Sequence, residues 1–174
     1  VAGPFADTIP DDYRDKASMK GLDYTSPLEL LAEKFHMSQD LLRQLNPDAD
    51  FGRAGQEITV ASVERRREPG AASRVEVEAR AQTVTVYGKN NDVIAVYPAT
   101  VGSKDRPSPV GEFKVTAIAE NPVYHYDPDL NLRNVDVQEK LDIPPGPNNP
   151  VGLVWISLSA KGYGLHGTPE PATV

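Results

Sequence analysis

The residue whose chemistry stands out is His166. It lies in Tyr163-Gly164-Leu165-His166-Gly167-Thr168-Pro169-Glu170-Pro171, just after a run of strand-forming residues. An imidazole can take and return a proton near neutral pH, which is the task of a general base. Gly164 and Gly167 let backbone crowd the ring, and Pro169 and Pro171 stiffen the loop that follows. As a residue type alone, His166 reads as a satisfied histidine in a tight Gly-rich turn. Its neighbours and two segments upstream reverse that reading. The 174 residues hold no cysteine, which excludes disulfides, thiolate zinc sites and cysteine catalysis within them. Ser157 and Ser159 read as strand residues, and no G-x-S-x-G elbow is present. The chain as given is therefore expected to be catalytically inactive.

Other chemical signals fail on their surroundings. Gly162 to Gly167 matches G-x-G-x-x-G after a strand, but a dinucleotide site needs a helix next. Thr168-Pro169-Glu170-Pro171 forbids that helix. Asp127-x-Asp129-x-Asn131 opens like a calcium loop, yet Leu132 stands where the turn needs Gly and Gln138 where a bidentate Glu is needed. His36, His125 and His166 do not pair at metal-ligand spacing, so no metal and no cofactor is expected. His36 ends a predicted helix, where a cation suits the dipole. His125 lies between Tyr124 and Tyr126, and an aromatic cluster is its preferred reading.

The totals narrow the classes. A net charge of −7 repels phosphate backbones, so nucleic acid is not an expected partner. Arg65-Arg66-Arg67 is partly neutralised by Glu64 and Glu68 and reads as a solvated linker. No apolar run approaches the ~20 residues of a membrane span, and Val1 to Phe5 lacks the basic start and apolar core of a leader. With 16 Pro and 13 Gly, much loop and more strand than long helix is expected.

The elements that must position His166 follow from periodicity. Residues 1–20 show no clear period and read as an extended arm. In 21–63, Leu22 and Tyr24 suit a short strand. Ser26-Pro27-Leu28-Glu29 opens a helix with a capping box, and Leu28, Leu31, Ala32 and Phe35 give it one apolar face. Ser38 caps a second helix with Leu41, Leu42 and Leu45, ended by Asn46-Pro47. Ile58-Thr59-Val60 is again a strand. Residues 64–73 read as a linker. Alternation then predicts strands around Val75–Ala79, Val84–Val86, Val93–Val101, Phe113–Ala117 and Val151–Leu158, joined as antiparallel hairpins because no helical stretch separates them. Residues 119–150 are expected to be one long irregular insertion.

Three segments in order carry a resemblance: Ser108-Pro109-Val110-Gly111-Glu112-Phe113, then Pro145-Gly146-Pro147-Asn148-Asn149-Pro150-Val151-Gly152 running into Trp155-Ile156, then Tyr163 to Pro171. Together, over residues 74–174, they resemble the catalytic domain of the L,D-transpeptidases (the YkuD-like fold), with Ser108 where threonine is commoner. Residues 21–63, through "LAEKFHMSQDLLRQLNP" and "GQEITV", resemble a LysM module, although Tyr24-Thr25-Ser26-Pro27 replaces the family's glycine-aspartate-threonine start. The fold class implied is mainly β: an incomplete L,D-transpeptidase-like β-sandwich after a small α+β strand-helix-helix-strand module.

The resemblance implies a periplasmic or cell-surface enzyme that remodels peptidoglycan by cysteine acyl transfer between stem peptides. It carries His166 over as general base and makes Tyr124, Gly164, Gly167 and Thr168 the candidate substrate-binding residues. Stem peptides are the implied substrate, and glycan the partner of the LysM-like module. The family's Ser/Thr-His-Gly-Cys segment is not matched before Val174. Truncation is therefore the expectation, with an unstable sheet that a C-terminal segment or a domain-swapped copy would complete. The alternative is a peptidoglycan-binding protein without catalysis.

Overall fold

The computed structural model describes residues 1–62, 70–102, 107–129 and 136–174. The Arg65–Arg67 run, most of the 64–73 linker, and Asn131 and Leu132 of the acidic turn lie outside the described residues. The chain is mainly β with a few short helices. It divides into two units. One combines Val1–Ser62 with Gly111–Thr173, and the other is Val63–Val110. In this division the N-terminal region and the segments around His166 share one unit.

The smaller unit is an antiparallel sheet of β1 (Arg74–Glu78), β2 (Thr83–Tyr87) and β3 (Val93–Pro98), in that order. Val75 faces Val86 across β1 and β2, and Val77 faces Val84, so the alternation noted in the sequence becomes a row of β-branched cross-strand pairs. Gly88 and Asn91 close the β2–β3 hairpin, with Asn91 at φ 61°, a conformation that Asn tolerates in tight turns.

In the larger unit, residues 1–20 are not an extended arm throughout. Asp12 caps α1 (Tyr13–Ser18), accepting from the Arg14 N–H at 2.7 Å. Tyr13 and Ala17 then pack with Ile9 and Met19 on a core of Leu22, Tyr126, Val137 and Ile143. Three of those four core residues belong to the stretch expected to be irregular. There Tyr124–Tyr126 (β5) and Leu141–Ile143 (β6) pair antiparallel. Strands of three residues show no period-2 run long enough to be seen in a sequence.

The helical pair forms as expected. Ser26 Oγ accepts from the Glu29 N–H at the start of α2 (Pro27–Lys34), and Ser38 Oγ from the Leu41 N–H at the start of α3 (Gln39–Leu45). Leu28, Ala32, Met37 and Leu42 are buried between them. The flanking strands of a LysM topology do not form. The Leu22 N–H donates to Pro145 O at 2.8 Å and Leu22 O accepts from the Asn148 N–H at 3.0 Å, so this backbone joins the segment before Val154 instead of residues 58–60. The Asn46 side-chain amide takes up both backbone groups of Thr59. With its hydrogen bonds met this way, Thr59 needs no partner strand.

Candidate functional site

His166 ends β8 (Gly164–His166), which pairs with β7 (Val154–Leu158), itself paired with β4 (Val115–Glu120) in the order β4-β7-β8. Trp155 stands opposite His166 across the β7–β8 ladder. The two rings stack at 5.2 Å between centroids and 12° between planes. Trp155 is held in turn by its Nε1–H, which donates to Ser157 Oγ at 3.0 Å. Gly164 makes room for the indole: a Cβ there would meet Trp155 Cζ2 at 2.7 Å and Ile156 O at 2.8 Å.

The imidazole is oriented by its own turn. His166 Nδ1 is 2.7 Å from Gly167 O. A carbonyl only accepts, so Nδ1 carries the hydrogen and the neutral ring keeps its lone pair on Nε2. The side chain is exposed, which leaves Nε2 able to take a proton from an incoming group.

The His166–Thr168 turn is clamped from below by the turn ahead of β7. Gly152 has φ 62°, and a Cβ on it would lie 2.7 Å from Thr168 N and 2.8 Å from Gly167 C. Only glycine permits both that conformation and that approach. Gly167 N donates to Val154 O at 3.0 Å. Buried Asn149 braces the turn: its Nδ2 donates to Pro144 O at 2.8 Å, its Oδ1 accepts from the Val151 N–H at 3.0 Å, and its carbonyl accepts from the Gly152 N–H at 2.7 Å. Thr168 Oγ accepts from the Glu170 N–H at 3.1 Å.

The candidates therefore separate. His166, Gly164, Gly167 and Thr168 lie together around β8. Tyr124 lies on β5, where its ring meets Tyr13 edge-on at 6.2 Å and packs on the Leu22–Tyr126 core. His125 pairs with exposed Asp142 across β5 and β6 at 2.6 Å. Sequence reasoning placed Trp155 in the core and gave Gly152 and Asn149 no role beyond the motif. Their signal was present in the Asn149-Pro150-Val151-Gly152 run, but its meaning depends on a turn 15 residues further along the chain.

Comparison with known proteins agrees with this geometry. The profile of the L,D-transpeptidase catalytic domain (YkuD) matches residues 72–173. A Bacillus subtilis protein named L,D-transpeptidase YkuD is 30% identical over 149 residues, covering 84% of this chain and 73% of the relative. Its Bacillus licheniformis namesake is 27% identical over the same shares. L,D-transpeptidase YqjB of Bacillus subtilis is 38% identical over 91 residues, 49% of this chain and 44% of that protein. With a domain match over more than half its length, this chain belongs to the L,D-transpeptidase family, whose members act on peptidoglycan.

Proposed function

We propose that His166 is the general base of a cysteine-dependent acyl transfer between peptidoglycan stem peptides. The observation that carries this is the Nδ1–H···O=C bond to Gly167, which leaves an exposed Nε2 with its lone pair. An ordinary thiol has a pKa near ~8.5 and is mostly protonated at neutral pH. Nε2 would take the thiol proton as sulfur attacks the stem-peptide carbonyl. The C–N bond then breaks, the imidazolium returns that proton to the departing amine, and a thioester remains. The side-chain amine of a second stem attacks the thioester and gives its proton to Nε2, and the thiolate leaves. The sulfur in this scheme is not among the 174 residues.

The test uses the protein as encoded, incubated with purified stem peptides and followed by mass spectrometry. Cross-linked product that thiol alkylation abolishes is expected. His166→Ala should slow the reaction by at least about 100-fold. Turnover that is indifferent to both treatments sinks the reading. The site of action belongs to the same proposal: the periplasm or cell surface, where peptidoglycan lies, checked by fractionation. None of the described helices is long and apolar enough to cross a membrane.

A second reading is wall binding without turnover, favoured by the absence of cysteine from these residues. Here α2 and α3 would retain glycan, and the His166 turn would hold a stem peptide. Sedimentation with purified peptidoglycan, with no cross-linking, is its expected outcome.

A further inference from the structure

The segment around α1 and the loop after His166 enclose a groove of about 330 Å³ that the acyl-transfer scheme does not use. Asp11, Tyr13 and Lys16 line it from the first segment, and Pro169 and Glu170, beginning three residues beyond His166, from the second. Pro150 and Asn148 complete the lining.

Its lining carries charges of both signs. Among the described residues, none of Asp11, Lys16 and Glu170 has an ion-pair partner. Lys16 is partly buried, and its ammonium lies 5.3 Å from the centroid of the Tyr13 ring. A cation held there without a carboxylate is free to meet one from a ligand. Asp11 and Glu170 offer two carboxylates to an ammonium. Asn148 supplies the uncharged contact. Its Nδ2 hydrogens are spent on Asp23 O at 3.0 Å and Glu29 Oε1 at 2.7 Å, which fixes the amide and leaves Oδ1 as an acceptor for a ligand N–H. The prolines and Tyr13 give the apolar surface over which a short chain can lie.

The geometry points to a binding subsite for a zwitterionic amino-acid terminus, its carboxylate on Lys16 and its ammonium between Asp11 and Glu170, with the chain behind it running toward His166. The N-terminal segment then selects what reaches the base. This rests on the stem-peptide reading for its biological ligand but not for its test.

The test is chemical-shift titration of the protein with three compounds. Nε-acetyl-lysine keeps both α-groups free. Nα,Nε-diacetyl-lysine keeps only the carboxylate, and Nε-acetyl-lysine amide only the ammonium. The zwitterion should shift the amides of residues 11–16 and 169–170 and bind at least about tenfold more tightly than either blocked form. Lys16→Ala should reduce it to the level of the amide, and Glu170→Gln to that of the diacetyl form. Both side chains lie in the open groove wall, and an unchanged melt of each variant verifies the fold. Equal binding of all three compounds, absence of shifts in the groove, or insensitivity to both substitutions overturns the subsite. Groove binding without acyl transfer refutes the catalytic reading alone, and acyl transfer without groove binding refutes the subsite alone.

Discussion

At the scale of single residues, the setting of His166 depends on positions that have no reactive group. Gly152→Ala must place a Cβ 2.7 Å from Thr168 N while holding φ at 62°. Both contacts are backbone, so no side chain can yield. The cost should be roughly 3 kcal/mol or more, seen as a lower urea midpoint with an unchanged slope. Gly164→Ala acts on the indole, since its Cβ would lie 2.7 Å from Trp155 Cζ2. Displacing the ring that stacks on His166 should lower acyl transfer by about 10- to 100-fold, while the melting temperature falls less than in Gly152→Ala. His166 was singled out in the sequence because proton transfer restricts the residue type and because Gly164 and Gly167 lie close on either side of it. Gly152 and Asn149 were not legible as its supports, because their function is a contact between two turns that the local sequence does not encode. Tyr124, expected among the substrate contacts, lies with its ring edge-on to Tyr13 at 6.2 Å.

At the scale of elements, Glu29 ties α2 to the segment that supports the site. Its Oε2 accepts from the Thr25 N–H at 2.7 Å and from the Thr25 hydroxyl, and its Oε1 accepts from Asn148 Nδ2 at 2.7 Å. The side chain is almost wholly buried. Glu29→Ala leaves these donors unpaired and should cost about 3 kcal/mol, with faster amide exchange at Asn148 and Asn149 as the local signature. Glu33, one turn later, carries a pH dependence. Burial pushes its carboxyl up to about 7, although the hydrogen bond from Tyr24 opposes the shift. The folded state therefore holds a proton that the unfolded chain releases. The resulting stability is present below pH ~4.5 and lost as pH rises toward 7. Solvent around the half-exposed carboxylate reduces the effect to the order of 1 kcal/mol. Chemical denaturation of Glu33→Gln across that window should show a flatter profile than the parent. The caps of α2 and α3 were readable in the sequence because Ser-Pro-x-Glu and Ser-x-x-Leu encode local hydrogen bonds. The LysM strands were misread because Leu22 pairs with residues more than 120 positions away, where local alternation carries no information.

At the scale of the molecule, sheet β4-β7-β8 has β4 as an edge, exposed along its whole length, with Ile118 65% and Val115 51% accessible. An apolar edge strand is a template for pairing with another chain. Ile118→Lys should reduce concentration-dependent association of the 174-residue chain, measured by light scattering, and leave its melt within about 0.5 kcal/mol of the parent. The antiparallel hairpins were visible from their alternation. The joining of the N-terminal helices and the segments around His166 into one unit was not, because it is made by contacts among Leu22, Tyr126, Val137 and Ile143, residues scattered through stretches without periodicity.

The chain contains a single tryptophan, and its indole lies flat against the imidazole of His166. Emission from that indole therefore reports, without any label, whether the two rings remain face to face, and His166→Ala should change its intensity and wavelength at fixed pH.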